Sequence, residues 1–144
     1  MSEEPTLFPV NLVWAGGKNG EVSIKGDIKI RTGPSTSSEN EPSVHSPEEL
    51  FVASAAVCYM NGFVNFSERM HIEFHSFNCD AVGILEKVGR SYEITKIEMN
   101  ARVEIISEDI RDRISRALEL AAKYCFVGNS MKCPIEHKTE IIVI

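Results

Sequence analysis

The sequence has no run of about 18 apolar residues, so it predicts no membrane-spanning segment. It is also short of positive charge. Its 15 Lys and Arg stand against 21 Asp and Glu, a net charge of −6. A protein that grips a phosphate backbone needs the opposite surplus, so no nucleic-acid partner is expected. There is no Cys-x-x-Cys, no His pair at zinc-finger spacing, no phosphate-loop pattern and no flavin or haem motif. Cys125, Cys133 and His137 could supply three metal ligands, but no fourth is evident. Neither metal nor cofactor is therefore expected. The start, Met1-Ser2-Glu3-Glu4, is acidic and lacks the basic and apolar regions of a signal peptide, which predicts a cytoplasmic protein. No internal repeat and no domain break is visible, so residues 1–144 read as one domain.

What is present is an ordinary globular composition, 43% hydrophobic and 25% charged, in a chain long enough for a single core. Residues 10–14 read as a strand, and Gly16-Gly17-Lys18-Asn19-Gly20 as a turn built on Asn-Gly. Residues 21–31 alternate, with Val22, Ile24, Ile28 and Ile30 on one side and charged or polar residues on the other, the signature of one half-buried strand. Residues 32–45 are polar and form a loop, placed just before the next helix where a lid would hang.

Ser46-Pro47-Glu48-Glu49 is a helix start, with Ser as N-cap, Pro at the first helical position and Glu49 completing a capping box. The helix that follows runs to about Met70, and from Leu50 to Met60 it has almost no polar face. A helix apolar all round belongs in a core or an oligomer interface. An antiparallel hairpin comes next, turning at Val88-Gly89-Arg90. Phe77, Cys79, Ala81 and Leu85 share one face of its first strand, and Ile97, Met99, Ala101, Val103 and Ile105 alternate along the second. A second helix starts at Ser107 and places Ile110, Ile114, Ala117, Leu118, Ala121 and Cys125 on its buried side. Gly128-Asn129 breaks the chain, and residues 139–144 close it with a strand.

The four cysteines carry the chemistry. In a reducing compartment Cys58, Cys79, Cys125 and Cys133 are buried packing, metal ligands or reversible redox groups. Packing is the usual role of a single free cysteine. A pair, however, can reduce a peroxide: one thiolate takes the oxygen and a second thiol resolves the sulfenic acid as a disulfide. His45, His71, His75 and His137 read as surface or loop residues.

The stretch from Ser46 through Ala-rich residues to Cys58 resembles the first cysteine motif of the OsmC/Ohr family, the osmotically inducible and organic-hydroperoxide-resistance proteins. Cys125 at the end of the later helix and the early Gly-Gly-Lys-Asn-Gly turn resemble two further family features. The resemblance implies an α+β fold, with antiparallel sheets packed around two central long helices in an intertwined homodimer. It implies Cys58 as peroxidatic cysteine, Cys125 as resolving cysteine and Glu48 in the activating network, with two active sites at the subunit interface. The substrate would be an organic hydroperoxide, alkyl or lipid-like, and the reductant an external dithiol. Two features depart from the family. Lys18 stands where its peroxide-reducing branches carry Arg, and a point charge does not reproduce a bidentate fork. Cys125 lacks the usual following Pro, which Cys133-Pro134 has, so Cys133 is a second candidate for the resolving role. Glu48 and Cys58 are ten residues apart, roughly 15 Å along a straight helix, so a shared role requires a bend or the partner subunit. The alternative is a family member that has lost the chemistry and binds a small apolar or thiol ligand.

Overall fold

The computed structural model describes residues 4–34 and 43–144. Most of the loop expected over residues 32–45, and with it the lid role, lies outside the described residues. The chain forms two compact units, Met1–Leu50 and Phe51–Ile144.

In the first unit β1 (Asn11–Trp14), β2 (Gly20–Ser23) and β3 (Lys29–Thr32) form an antiparallel sheet in chain order. The single strand expected over residues 21–31 is thus a hairpin, reversing where Gly26 takes φ 69°. Alternation does not reveal the reversal, because Val22 pairs with Ile30 and the two stay on one face. The β1–β2 turn also differs from expectation. Its positive φ values fall at Gly16 (102°) and Gly17 (57°), while Gly20 opens β2. There a Cβ would lie 2.8 Å from Leu12 Cδ1.

The helix start is as expected. Glu49 Oε1 accepts the Ser46 backbone N–H at 2.8 Å, and Ser46 Oγ accepts the Glu49 N–H at 3.1 Å. Such a cap holds about 1 kcal/mol. It opens α1 (Pro47–Arg69), whose Ala55, Tyr59, Phe63 and Ser67 recur every four residues and are buried. Phe51, Val57 and Met60 are exposed. The expectation that nothing is apolar enough to span a membrane needs correcting. The α1 window averages a hydropathy of 1.4, long and apolar enough by composition, with 22% of it buried. Asn61 and Gly62 interrupt the apolar run but barely lower the average.

In the second unit β4 (Ser76–Val88) and β5 (Ser91–Ile105) make the expected hairpin, and β6 (Ile135–Val143) joins the free edge of β5. β6 runs parallel to β5, so this sheet is mixed rather than antiparallel. The cause is the connection, a 3₁₀ turn (Glu108–Ile110), α2 (Arg111–Lys123) and the one-turn α3 (Phe126–Asn129). A helical crossover carries the chain back before the next strand starts, whereas an antiparallel partner needs only a hairpin. α2 therefore begins after Ser107, whose Oγ accepts the Asp109 N–H of the 3₁₀ turn. Gly128-Asn129, expected as a break, ends α3. Leu85 leaves the face it was expected to share, because the register shifts between Ile84 and Leu85. The core gathers the odd-numbered residues of β5 from Ile97 to Ile105 with Tyr59 and Phe63 of α1 and Ile114, Ala117, Leu118 and Ala121 of α2. Phe63 stacks on Phe77 of β4 at 5.2 Å between centroids.

Candidate active site

Cys58 lies midway along α1 and is half-buried; Cys125 follows the C-cap of α2 and is buried. The structure places these two thiols close enough for Cys58 to raise the pKa of Cys125. Sequence spacing had not located their donors, which are backbone groups. The Val127 N–H donates to Cys58 Sγ at 3.5 Å, and the Gly128 N–H donates to Cys125 Sγ at 3.3 Å. The latter bond makes Cys125 the N-cap of α3. Burial pushes the Cys125 thiol above its ordinary range; the Gly128 N–H opposes this and the adjacent Cys58 thiol adds to it. Cys125 is thus held as a neutral thiol, able to donate a proton.

Beside Cys58 opens a cavity of about 730 Å³, lined by Asn61, Gly62, Asn65, Phe66 and Arg69 of α1, with Tyr124 and Phe126. The α1 residues follow Cys58 by 3, 4, 7, 8 and 11 positions, which is one face of a helix. That spacing was a readable signal for the cavity wall. Tyr124 and Phe126 flank Cys125, and Phe66 and Tyr124 meet at 6.1 Å between ring centroids. The volume is in the range of small-molecule sites.

The other cysteines are elsewhere. Cys133 is buried in the core cluster, and Cys79 packs partly buried against it. No group of three or more His, Cys, Asp or Glu side chains converges among the described residues, so Cys125, Cys133 and His137 form no ligand set there. Lys18 and Glu48 belong to the first unit. Lys18 is exposed in the β1–β2 turn. Glu48, in the first turn of α1, has a buried Oε1 with no hydrogen-bond partner among the described residues. His45, His71 and His75 are exposed, but His137 is half-buried on β6 with its ring 4.6 Å from that of Tyr59. The strand was expected to begin at Thr139; its earlier start, at Ile135, puts His137 on the inward face.

The arrangement puts the two thiols near each other, as disulfide formation requires, and it offers an apolar-walled space next to the half-buried sulfur. The comparisons bear on this site. No curated protein sequence matches the chain. An OsmC-like protein of unknown function from Vibrio cholerae superposes with a TM-score of 0.78 at 24% identity, covering 96% of this chain and 100% of that one. An organic hydroperoxide resistance protein from Legionella pneumophila gives 0.73 at 16% identity, covering 98% and 100%. An organic hydroperoxide resistance protein from Bacillus subtilis gives 0.70 at 16% identity, covering 94% and 98%. These likenesses establish the fold. The family described as OsmC-like protein matches residues 40–140, more than half of the chain, and this protein belongs to that family.

Proposed function

We propose that this protein is a thiol-dependent peroxidase for organic hydroperoxides. The observation that carries the reading is the proximity of Cys125 to Cys58, which itself lines a cavity walled by Phe66, Tyr124 and Phe126. In the first step the Cys58 thiolate attacks the terminal peroxide oxygen. The O–O bond breaks, the sulfur keeps that oxygen as a sulfenic acid, and the remaining alkoxide leaves as the alcohol after taking a proton. The Val127 N–H donates to this sulfur. In the second step the Cys125 thiol attacks the sulfenic sulfur, forming the disulfide and releasing water. An external dithiol then exchanges with the disulfide and restores both thiols, becoming oxidised itself.

Lys18 and Glu48 are the proposed activating pair, and the buried Glu48 oxygen, without a hydrogen-bond partner among the described residues, supports a carboxylate that awaits a cation. We read the chain as one OsmC-like domain acting in the cytoplasm as an intertwined homodimer. Two apolar surfaces favour that assembly. On β1, Leu12, Val13 and Trp14 are 64%, 58% and 74% exposed; on α1, Val57 is 53% exposed. A second copy would cover both. The size of the Cys58 cavity favours one other reading, a dimer that binds a small apolar or thiol ligand without turnover.

The deciding experiment mixes reduced protein with cumene hydroperoxide and follows free thiols and peptide masses, with Cys58→Ser and Cys125→Ser in parallel. The expected result is loss of two thiols and a Cys58–Cys125 cross-link. Cys58→Ser should abolish peroxide consumption, and Cys125→Ser should stop at sulfenic or higher acids. Four thiols surviving excess peroxide would end the peroxidase reading in favour of ligand binding.

A further inference from the structure

The short turn α3 is tied to the two thiols that the proposed chemistry would join. Val127 and Gly128 are consecutive residues, and their N–H groups donate one to each sulfur, Val127 to Cys58 and Gly128 to Cys125. A helix start leaves its first N–H groups without internal partners, and here Cys125 Sγ is the N-cap acceptor. Four residues give α3 little strength of its own. Within the turn the Asn129 N–H donates to the Cys125 carbonyl at 2.9 Å, and the Ser130 N–H to that of Val127 at 3.0 Å. Beyond it, the Asn129 side chain donates to the Lys123 carbonyl and the Val127 side chain packs against the core. Phe126, the first residue of the turn, is 82% exposed and forms part of the Cys58 cavity wall. Tyr59, next to Cys58 on α1, lines a separate cleft with Leu118 and His137 and takes no part.

Disulfide formation acts on this arrangement. The two thiols give up two electrons and two protons to the oxidant, and their sulfurs close to roughly 2.0 Å. Cys58 stands on the 23-residue α1, whose Ala55, Tyr59 and Phe63 are locked in the core. Cys125 stands in the short link between α2 and α3. The backbone adjustment therefore falls on the α3 side. Sulfur is a weak acceptor, and a sulfur turned toward a bonded partner no longer faces the N–H it served. We propose that α3 is a redox-sensitive turn, held on the Cys58 and Cys125 sulfurs while both are thiols and released by their disulfide. Its release moves Phe126 at the wall of the Cys58 cavity, where the reducing dithiol must enter. The inference rests on the Cys58–Cys125 disulfide of the proposed function and adds a step between peroxide reduction and recycling.

The test forms the disulfide without peroxide. Full-length protein is oxidised with diamide, which takes up the two electrons and two protons as its hydrazine, and peptide masses locate the cross-link. Backbone amide exchange is then read by NMR in both states. On oxidation the Val127 and Gly128 amides should exchange roughly fivefold faster, the effect of losing one cap. The Phe126 ring resonances should shift with them, and the Phe63 and Ala117 amides should not change. Dithiothreitol should restore the reduced pattern. Cys58→Ser, which cannot form the bond, should not respond to diamide. In the reduced protein Cys125→Ala should speed exchange at Gly128 by a similar factor, and Cys125→Ser should not, because a serine oxygen caps a helix well. A Cys58–Cys125 cross-link with unaltered exchange would overturn the inference and leave the peroxidase reading intact. Faster exchange on cross-linking, in a protein that consumes no cumene hydroperoxide, would do the reverse. No cross-link, the same response in Cys58→Ser, or wild-type exchange in Cys125→Ala would also overturn the inference.

Discussion

Two neighbouring residues of α1 line cavities of opposite character. Around Cys58 the polar atoms are matched: each thiol accepts a backbone N–H from α3. Around Tyr59 a phenol and an imidazole are buried without partners among the described residues. In the proposed reading the first cavity takes the substrate. Beside the second, both atoms are sealed from solvent. One helix supports both because Cys58 projects toward α3 while Tyr59 projects toward β4 and β6, where it meets Phe77 and His137. Small residues at Ala55 and Gly62 allow the neighbours to come close; the α-carbon of Ala121 lies 3.4 Å from where a Gly62 Cβ would be.

If the two cavities are separate, damage to the wall of one should leave the chemistry of the other intact. Leu118 is 2% exposed and lines the Tyr59 cleft but not the Cys58 cavity. Leu118→Ala should cost about 2–5 kcal/mol in urea unfolding, through lost burial and the enlarged hole. The folded variant should still form the Cys58–Cys125 disulfide at the wild-type rate. Slower disulfide formation in folded Leu118→Ala would join the two cavities into one cooperative site. The reverse cut is smaller. Phe126 lines only the thiol cavity and is 82% exposed, so Phe126→Ala should leave stability unchanged. It should raise KM for cumene hydroperoxide about fivefold, the loss of about 1 kcal/mol of apolar contact, with hydrogen peroxide turnover unaffected. Equal losses with both peroxides would mean that Phe126 positions α3 rather than the substrate.

Much of the first cavity was legible in the sequence and little of the second. The capping box, the apolar α1, the β4–β5 alternation and the α2 periodicity each follow from local rules, and together they put Cys58 and Cys125 on inward-facing positions. The spacing of Asn61, Asn65, Phe66 and Arg69 from Cys58 also carried the cavity wall. The donors did not show, because Val127 and Gly128 act through their backbone and any residue but proline has that N–H. His137 was taken for a surface residue because its strand pairs in parallel across a helical crossover, a long-range contact that no local pattern encodes. The hairpin at Gly26 was lost for the opposite reason: its connection, residues 24–28, keeps the two strands in phase, so they read as one uninterrupted alternation.

The comparison also has a pH signature, and it is the smallest effect. Burial lowers the folded pKa of His137 below its ordinary 6.5. As pH falls through 6.5 the unfolded chain takes up this proton before the folded one does, so stability drops until the folded pKa is passed and then levels off. Cys125 behaves in the mirror sense. Its folded pKa is raised from an ordinary 9.0, so its contribution is present below pH 9 and is lost as the pH rises toward the folded value and the unfolded thiol ionises first. The Tyr59 cleft should therefore shape the acid limb of the stability curve and the thiol cavity the alkaline limb. Glu119 and Lys123 of α2, Tyr59 of α1 and Cys79 of β4 surround His137 or its partner, so the wild-type curve mixes their contributions. Subtracting the curve of His137→Gln, which keeps all four, isolates the imidazole. The difference should be flat above pH 7 and slope below 6.5, with the wild type losing more. For Cys125→Ser the difference should be flat below pH 8 and slope above 9. A slope of the opposite sign on the acid side would mean that the folded protein holds the charged imidazole.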